Sequence, residues 1–144
     1  MFYEPKKVSP FKIDPFKSLV FPRPIGWISS ISKNGIANLA PYSYFNAVAD
    51  EPPQVMFCSN GSSTHGKYKD SLSNILTTKV FVVNFATSNS RNQMNISSRD
   101  FKPDEDEFIL SNLKKKKSRL VKAPSVKDSP VNLAVSYTHL RAHE

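Results

Sequence analysis

The sequence is poor in cysteine, histidine and glycine, and it has no long apolar run. Its 144 residues include one cysteine, three histidines and four glycines. The single cysteine, Cys58, excludes a disulfide within the chain and agrees with a reducing cytoplasm. No histidine-bearing motif accompanies Cys58, so a packed thiol is favoured over a nucleophile. No apolar run could span a bilayer, and the amino terminus lacks the apolar core of a signal peptide. We therefore expect a cytoplasmic protein.

The motifs of several enzyme classes are also missing. There is no Gly-x-Gly-x-x-Gly, which argues against a Rossmann nucleotide domain. There is no Ser-His-Asp set, and the carboxylates of residues 104–107 are crowded in a predicted loop, where they would mostly repel one another. His139 and His143 have the i, i+4 spacing of helical metal ligands, but a metal centre of this kind needs three or four ligands. We predict no metal site and no catalytic side chain.

Positive charge, by contrast, is in excess. The chain has 20 Lys and Arg against 12 Asp and Glu, a formal net charge of +8. This surplus favours anionic partners such as phosphates, nucleotides or nucleic acid. Much of it lies in residues 114–117 with Arg119 and Lys122, a run without interleaved aromatics that is typical of a solvated surface. We predict no nucleic-acid partner; the alternative is nucleic-acid binding through this lysine run.

A hairpin with an aromatic corner is the most informative feature. Residues 27–31 suit a half-buried strand, and Asn34-Gly35 is a strong hairpin signal because both residues accept positive φ. The chain returns through residues 36–40, and Pro41 forbids a central ladder position there. Residues 42–45 then place three aromatic rings and a hydroxyl beside this irregularity. Such a corner suits a planar heteroaromatic ligand that carries a phosphate.

The rest of the chain reads as short strands with a few short helices. The pattern predicts a helix over residues 69–77, with Asp70 or Ser71 as its N-cap. It predicts strands at 18–20, 55–59 and 79–86, a second helix at 90–97, an acidic turn at 103–107 and a short element from Phe108. The length suits one domain, and no linker divides it. The fold class that follows is mainly β with short α-helices, in a small β-barrel.

Several spaced motifs carry a family resemblance that spans roughly residues 16–133. They are Arg23-Pro-Ile-Gly-Trp-Ile-Ser29, Asn38-Leu-Ala-Pro-Tyr-Ser-Tyr-Phe45, Lys69-Asp-Ser71 with Asn74-Ile75, Val82-Val-Asn84, Phe108, Ser118-Arg-Leu-Val121 and Ser129-Pro-Val131. In this order they resemble the flavin reductase-like family, whose members are FMN-binding split barrels. The resemblance implies an FMN-binding split β-barrel.

The resemblance also implies an activity. It indicates an FMN-dependent oxidoreductase that takes hydride from NAD(P)H and passes electrons to free flavin or to a partner acceptor such as a monooxygenase. The flavin carries the chemistry, so no catalytic side chain is required. A homodimer with flavin pockets near the subunit interface is implied as well. The alternative is a non-catalytic FMN-binding or storage protein of the same fold.

By the same resemblance, cofactor contacts fall on two segments of the chain. Lys69 and Ser71 are expected at the phosphate, with Ser43 and Arg23 assisting. Ring contacts, mostly through backbone groups, are expected from Trp27, Ile28, Ser29, Asn38, Leu39 and Ala40, and Phe45 is expected to wall the pocket. Three alternatives stay open: simple helix capping by Asp70 and Ser71, a surface role for Arg23, and core packing for Trp27.

The carboxyl terminus departs from the family pattern. The sequence follows it up to Leu133, and Ala134-Val135 then diverges. Residues 136–144 resemble a translated adaptor stretch. We therefore predict a truncated domain at residues 1–133, incomplete at the C-terminus of the barrel, and a non-native tail at residues 134–144. A barrel without its late strands exposes unpaired edges, which predicts poor solubility or self-association.

Overall fold

The computed structural model describes residues 11–13, 15–61, 63–66 and 68–138. Strands outnumber the helices in these ranges, and the helices are short, so the predicted class, mainly β with short α-helices, is confirmed. The predicted incompleteness of the barrel at its C-terminus stays a prediction. In chain order the elements are α1 Pro15–Leu19, β1 Gly26–Ile31, β2 Ala37–Tyr42, β3 Phe45–Asp50, β4 Pro53–Phe57, α2 Asp70–Thr78, β5 Val80–Asn84, a 3₁₀ turn at Ser88–Ser90, α3 Arg91–Ile96, α4 Glu107–Leu110, β6 Lys115–Lys116, β7 Ser125–Val126 and β8 Asn132–Ser136.

A four-stranded antiparallel sheet forms the centre of the molecule. Its strand order is β2-β1-β5-β8, so β1 pairs with β2 on one side and with β5 on the other. The β3–β4 hairpin and the β6–β7 pair are separate two-stranded sheets. None of the helices in the described ranges is both long enough and apolar enough to cross a membrane.

The predicted hairpin between β1 and β2 is present, with a different turn. Only Gly35 has a positive φ, of 82°, so the prediction that Asn34 shares this conformation is wrong. Ser32 N–H donates to the carbonyl of Ile36 at 2.8 Å, and Gly35 N–H donates to the carbonyl of Ser32 at 3.1 Å. Three residues therefore form the loop, and a glycine in the left-handed region closes it.

Pro41 lies inside β2, opposite Trp27. β2 is an edge strand of the sheet, so no further strand lies beyond it that would need an N–H donor from Pro41. The strand continues to Tyr42, and the irregularity comes at residues 43–44, two positions later than the sequence indicates. The prediction that Pro41 cannot lie in a central strand is thus confirmed. The prediction that the corner comes at Pro41 is wrong, because it comes at residues 43–44.

The strand predicted at residues 18–20 is wrong, because this segment ends a short helix. The helix α1 covers Pro15–Leu19, with Pro15 at its first position. Proline suits that position because its fixed φ is helical and its missing N–H would have no helical partner there. In the described chain no strand of the sheet pairs with these residues. A three-residue apolar run without a neighbour cannot hold an extended conformation by itself.

The core has two clusters, one on each face of the sheet. Side chains alternate along a strand, so Trp27 and Ile28 of β1 belong to different clusters. One cluster comprises Trp27, Ala37, Leu39, Phe108 and Val126; the other comprises Ile28, Tyr42, Ile75, Phe81 and Val83. Burial of each large apolar side chain contributes about 1.5–3 kcal/mol to stability. Helix α4 therefore packs on one face of the sheet through Phe108, and helix α2 packs on the other face through Ile75.

The predicted boundary after Leu133 falls inside a strand. β8 covers Asn132–Ser136, with Ala134 opposite Val82 and Val135 opposite Phe81. Ala134 and Val135 are therefore part of the four-stranded sheet. The rest of the predicted tail, from His139 onward, lies outside the described residues. The non-native origin of residues 134–144 stays a prediction.

Candidate functional site

A cavity of about 200 Å³ opens between the end of β2, the start of α2 and the segment that follows α3. Asn38, Ala40, Lys69 and Ser71, all of them predicted ligand contacts, line it. The remaining lining residues are Pro41, Tyr42, Asp70, Ser97, Ser98, Arg99, Asp100, Phe101 and Glu107. Both segments singled out in the sequence thus meet in space at this cavity.

The start of α2 contributes the cationic side of the cavity. Lys69 occupies the N-cap position in an extended conformation, and no side chain caps the helix, so the predicted capping by Asp70 or Ser71 is wrong. The first N–H groups of an α-helix have no partner within the helix and carry the positive end of its dipole. Together with the Lys69 ammonium they favour an anionic group at this end of the cavity.

Asn38 joins β2 to α2 through its side chain. Its Nδ2 donates to Glu107 Oε1 at 2.7 Å, and its Oδ1 accepts from Ser71 Oγ at 2.6 Å and from Ser30 Oγ at 3.2 Å. The side chain is only 6% exposed. The amide predicted to read the edge of a flavin ring therefore makes its hydrogen bonds within the protein. Ser71 does not cap α2, because its hydroxyl donates to Asn38 instead.

Glu107 has a buried carboxyl, so the prediction that places it in a crowded acidic loop is wrong. It is the first residue of α4 and only 4% exposed, and besides Asn38 it accepts from Leu39 N–H at 3.2 Å. Burial raises the pKa of the Glu107 carboxyl to about 7, while hydrogen bonds from its own N–H, Asn38 and Leu39 oppose that rise. Asp106 caps α4 by accepting from Phe108 N–H at 3.0 Å. Asp106 ahead of Phe108 was a sequence signal for the start of α4, though not for the inward direction of the Glu107 carboxyl.

Two further carboxylates flank the cationic groups of the cavity. Asp100 accepts from Thr64 N–H at 3.1 Å, from Thr64 Oγ1 at 2.6 Å and from Ser63 Oγ at 3.3 Å, and these bonds lower its pKa. Burial, and next the nearby Asp100, raise the pKa of Asp70. Burial also raises the pKa of Tyr42. The Asp100 carboxylate is thus held by the loop between β4 and α2, through Ser63 and Thr64.

The four fully buried members of the predicted ring-binding set lie in the core. Trp27, Ile28, Ser29 and Leu39 are each 0% exposed. The Trp27 indole donates to Ser97 Oγ at 2.9 Å, and Ser29 Oγ donates to the carbonyl of Pro124 at 2.5 Å. Because β1 is paired on both sides, its backbone is also committed to the sheet. Trp27, Ile28, Ser29 and Leu39 therefore do not line the cavity, which favours core packing for Trp27, and their ring contacts stay a prediction.

Three other predicted residues gather at the start of the second hairpin, outside the cavity lining. The Arg23 guanidinium lies 4.9 Å from the centre of the Tyr44 ring, and its Nη1 donates to the carbonyl of Lys17 at 3.3 Å. The Phe45 ring covers Gly26, and Ser43 lies in the bend between β2 and β3. The structure does not bring these residues together with Lys69 and Ser71.

The cavity combines cations, hydroxyls and an aromatic side chain with the three carboxyl groups of Asp70, Asp100 and Glu107. Lys69 and Arg99 supply cations, Ser71 and Ser98 supply hydroxyls, and Tyr42 supplies an aromatic side chain. Sites for small organic ligands usually enclose about 300–1,000 Å³, so this cavity takes part of such a ligand and leaves the rest outside. Among the described residues no group of three or more His, Cys, Asp or Glu could hold a metal ion.

Comparison with known proteins places the chain among flavin proteins. A family model described as "Flavin reductase like domain" matches residues 17–142. A protein of unassigned function from Aquifex aeolicus is 45% identical over 114 residues, which are 79% of this chain and 58% of that protein. The Bacillus subtilis protein YwrF is 31% identical over 112 residues, covering 78% and 54% of the two chains. The chain therefore spans about half the length of the curated relatives it matches.

Solved structures share the fold. Nitrilotriacetate monooxygenase component B from Bacillus cereus superposes with a TM-score of 0.80 at 25% identity, over 99% of this chain and 74% of that one. Flavoredoxin of Desulfovibrio vulgaris has a TM-score of 0.77 at 14% identity, over 97% and 70% of the chains. An FMN-binding protein from Thermus thermophilus has a TM-score of 0.77 at 8% identity, over 99% and 71%. The last two likenesses show the fold alone.

Proposed function

Because the chain belongs to the family of flavin reductase-like domains, we propose that it binds FMN and acts as an NAD(P)H-dependent flavin oxidoreductase. The observation that carries this proposal is the cavity where the Asn38–Tyr42 end of β2 meets Lys69 and Ser71 at the start of α2. When bound, FMN supplies a ring that accepts hydride and passes electrons onward. The residues of the chain need only hold and orient it.

The cavity fits the phosphate end of FMN. Lys69 and Arg99 supply positive charge, the start of α2 offers N–H donors, and Ser71 offers a hydroxyl that can turn toward the phosphate. Each charge-assisted hydrogen bond of this kind contributes about 1.5–3 kcal/mol. Ala40, Pro41 and Tyr42 line the same cavity on the side of β2 and continue it with apolar and aromatic surface.

A second copy of the chain completes the site in this proposal. The cavity of about 200 Å³ is smaller than the usual enclosure for a ligand of this size. Large apolar side chains around α1 are exposed, among them Ile13 at 73%, Leu19 at 77% and Phe21 at 76%. Apolar surface of this extent marks interaction sites, and it supports a homodimer.

The electron acceptor in this proposal is free flavin or a partner enzyme. The structural neighbour from Bacillus cereus is named as component B of a monooxygenase, which supports a monooxygenase-type partner. The chemistry of the cavity supports the flavin, and the family supports the use of NADH or NADPH as hydride donor.

The test uses the full chain with added FMN, and its first reading is affinity. Lys69→Gln should raise the Kd for FMN about 10- to 150-fold, which corresponds to the loss of ~1.5–3 kcal/mol, and should leave the Kd for riboflavin unchanged because riboflavin has no phosphate. The matched control Lys117→Gln removes an exposed lysine outside the cavity and should change neither value.

The second reading is reduction of the bound flavin without oxygen. Rapid loss of the oxidised-flavin absorbance on addition of NADH or NADPH supports the oxidoreductase. If the flavin binds and stays oxidised, the protein is a non-catalytic FMN-binding module. If the folded chain binds no FMN at micromolar concentration, both functions are excluded.

A further inference from the structure

A chain of hydrogen bonds runs from a buried carboxyl to the hydroxyl at the candidate phosphate site. Asn38 Nδ2 donates to Glu107 Oε1 at 2.7 Å, and Ser71 Oγ donates to Asn38 Oδ1 at 2.6 Å. Glu107 and Ser71 are 4% and 1% exposed, so water does not compete strongly for these bonds. The state of the carboxyl is therefore transmitted to Ser71 through a single amide. We call Glu107, Asn38 and Ser71 the relay.

The Leu39 N–H fixes the direction of the relay. It donates to Glu107 Oε2 at 3.2 Å, and a backbone donor in a strand cannot turn round. With Glu107 ionised, both carboxylate oxygens only accept, so the Asn38 amide must present its NH₂ to Oε1. Its oxygen then faces Ser71, whose hydroxyl donates to Asn38. In this state Ser71 offers lone pairs and no proton to an anion in the cavity.

A neutral Glu107 reverses each bond of the relay. Leu39 N–H still requires the carbonyl oxygen at Oε2, so the added proton must lie on Oε1 and point toward Asn38. The Asn38 amide then presents its oxygen to Glu107 and its NH₂ to Ser71 and Ser30. Ser71 accepts from Asn38, and its own proton turns toward the cavity, where Tyr42 is its other hydrogen-bond partner. Ser30 adapts by rotating its hydroxyl.

We propose that anion binding at Ser71 is linked to proton uptake: when a phosphate group enters the cavity, Glu107 takes one proton from solvent and the Asn38 amide turns over. The balance is one proton gained by the Glu107 carboxylate and none lost elsewhere, since the Ser71 hydroxyl keeps its proton and only redirects it. This inference rests on the proposed function, in which the phosphate belongs to FMN. Glu107 and Asn38 are positioning residues, because they act through Ser71.

The charges around the relay favour the same exchange. Lys69, Arg99, Asp70 and Asp100 share the cavity with Glu107, and Tyr42 lies on its β2 side. On the segment of Glu107 itself, Asp106 is paired with Lys115, and Asp104 and Glu105 precede it. A bound phosphate would add further negative charge near Asp70 and Glu107, and neutralising the buried Glu107 relieves that repulsion. The Glu107 pKa of about 7 makes the proton available near neutral pH.

The first test counts protons during FMN binding to the full chain. Calorimetry at about pH 8, in buffers of different ionisation enthalpy, should show uptake of up to one proton with FMN, whose own phosphate, with a second pKa near 6, is then ionised. Riboflavin should give none. The Kd for FMN should rise by up to about tenfold per pH unit above pH 7. Failure of FMN to bind would overturn the proposed function, and binding without proton uptake would overturn the relay alone.

The variant Glu107→Gln fixes the reversed state without a titrating group. The side-chain oxygen of the glutamine accepts from Leu39 N–H, so the glutamine NH₂ must face Asn38. The Asn38 amide then has to turn its oxygen toward the glutamine. We expect this variant to bind FMN more tightly than the natural chain at about pH 8, with no proton uptake and a Kd that no longer varies above pH 7. Glu51→Gln, an exposed glutamate in the β3–β4 turn, is the matched control and should behave as the natural chain. Proton uptake that persists in Glu107→Gln would overturn the proposal.

A measurement without flavin covers the case in which the variant does not fold. In the natural chain, the side-chain NH₂ signals of Asn38 should change with an apparent pKa of about 7 as Glu107 titrates. The NH₂ signals of Asn74, whose Nδ2 donates to Ser30 Oγ at 3.2 Å, should shift less. Signals of Asn38 that stay constant through neutral pH would exclude the turnover of the amide.

Discussion

Glu107 couples the stability of the protein to pH at the scale of one residue. Its pKa is raised from 4.5 to about 7 by burial, so between these values the folded chain holds a proton that the unfolded chain has released. The contribution of this group to stability is fully present below about pH 4.5 and is lost as pH rises through 7. We expect the free energy of unfolding to fall by about 3 kcal/mol across this window.

Denaturant titration of the natural chain and of Glu107→Gln at several pH values measures this contribution. The difference between the two curves should slope between about pH 4.5 and 7 and be flat above it. Asp70, whose pKa burial also raises, is present in both proteins, so the difference retains only its electrostatic interaction with Glu107. Parallel curves would show that Glu107 is ionised throughout and would contradict its raised pKa.

Trp27 gives a second prediction at this scale, because it separates packing from ligand contact. Its indole is fully buried and donates to Ser97 Oγ. Trp27→Phe removes that bond and part of the ring volume, and should lower the free energy of unfolding by about 1–3 kcal/mol. The Kd for FMN should stay within about twofold of the natural value, since the indole does not line the cavity. Denaturant unfolding and flavin titration provide the two readings.

Leu120→Ala is the control for this substitution. Its side chain is 88% exposed, so its loss should cost less than about 0.5 kcal/mol. A large loss of FMN affinity in Trp27→Phe, at unchanged stability, would restore the ring-contact role that the burial of Trp27 argues against.

At the scale of elements, Gly26 ties the first hairpin to the second. A Cβ at this position would lie 2.6 Å from Cδ2 and 2.7 Å from Cγ of Phe45, the first residue of β3. Gly26→Ala must therefore displace the Phe45 ring and should lower the free energy of unfolding by about 1–3 kcal/mol. The matched control Gly66→Ala meets only a backbone oxygen at 3.8 Å and should be tolerated. Equal unfolding midpoints for both variants would show that Phe45 moves aside freely.

Elements with strong local signals could be predicted from the sequence. The helix α2 shows apolar spacing, β5 is a run of valine and phenylalanine, and the Asn34-Gly35 turn marks the hairpin, so all three were found. The helix α1 was missed, because five residues carry too little pattern to separate a helical turn from a strand. The place of the corner after Pro41 was missed because pairing with β1 carries β2 to Tyr42.

The candidate site was predicted only in part, for a reason of distance along the chain. Lys69, Ser71 and Asn38 are marked by local motifs, and the structure brings them together. Glu107 lies 69 residues from Asn38, and nothing in a local window shows that its carboxyl turns inward. The full burial of Ile28 and Ser29 was missed, and core packing of Trp27 stood only as an alternative. The reason is that only β5, more than 50 residues later, converts β1 from an edge strand into a central one.

At the scale of the whole molecule, the exposed apolar side chains around α1 predict self-association. Sedimentation of the natural chain should show a dimer, and Leu19→Ser, at a side chain 77% exposed, should raise its dissociation constant at least about tenfold. Leu120→Ser, at a side chain 88% exposed that is remote from α1 in the sequence, is the control and should leave the dimer intact. Natural protein that stays monomeric at high concentration, or equal effects of both variants, would exclude α1 as the contact.

The late arrival of β5 beside β1 has a consequence for biosynthesis. The carbonyl of Trp27 accepts from the Asn84 side chain, 57 residues later in the chain. At a ribosomal speed of about 5–20 residues per second, this partner is made roughly 3–11 s after Trp27. For that interval the nascent β1–β2 hairpin exposes the Trp27 side chain and the unpaired peptide groups of β1, a surface that is prone to aggregation. Slower translation of the codons between Trp27 and Asn84 would lengthen the time during which β1 has no β5 beside it.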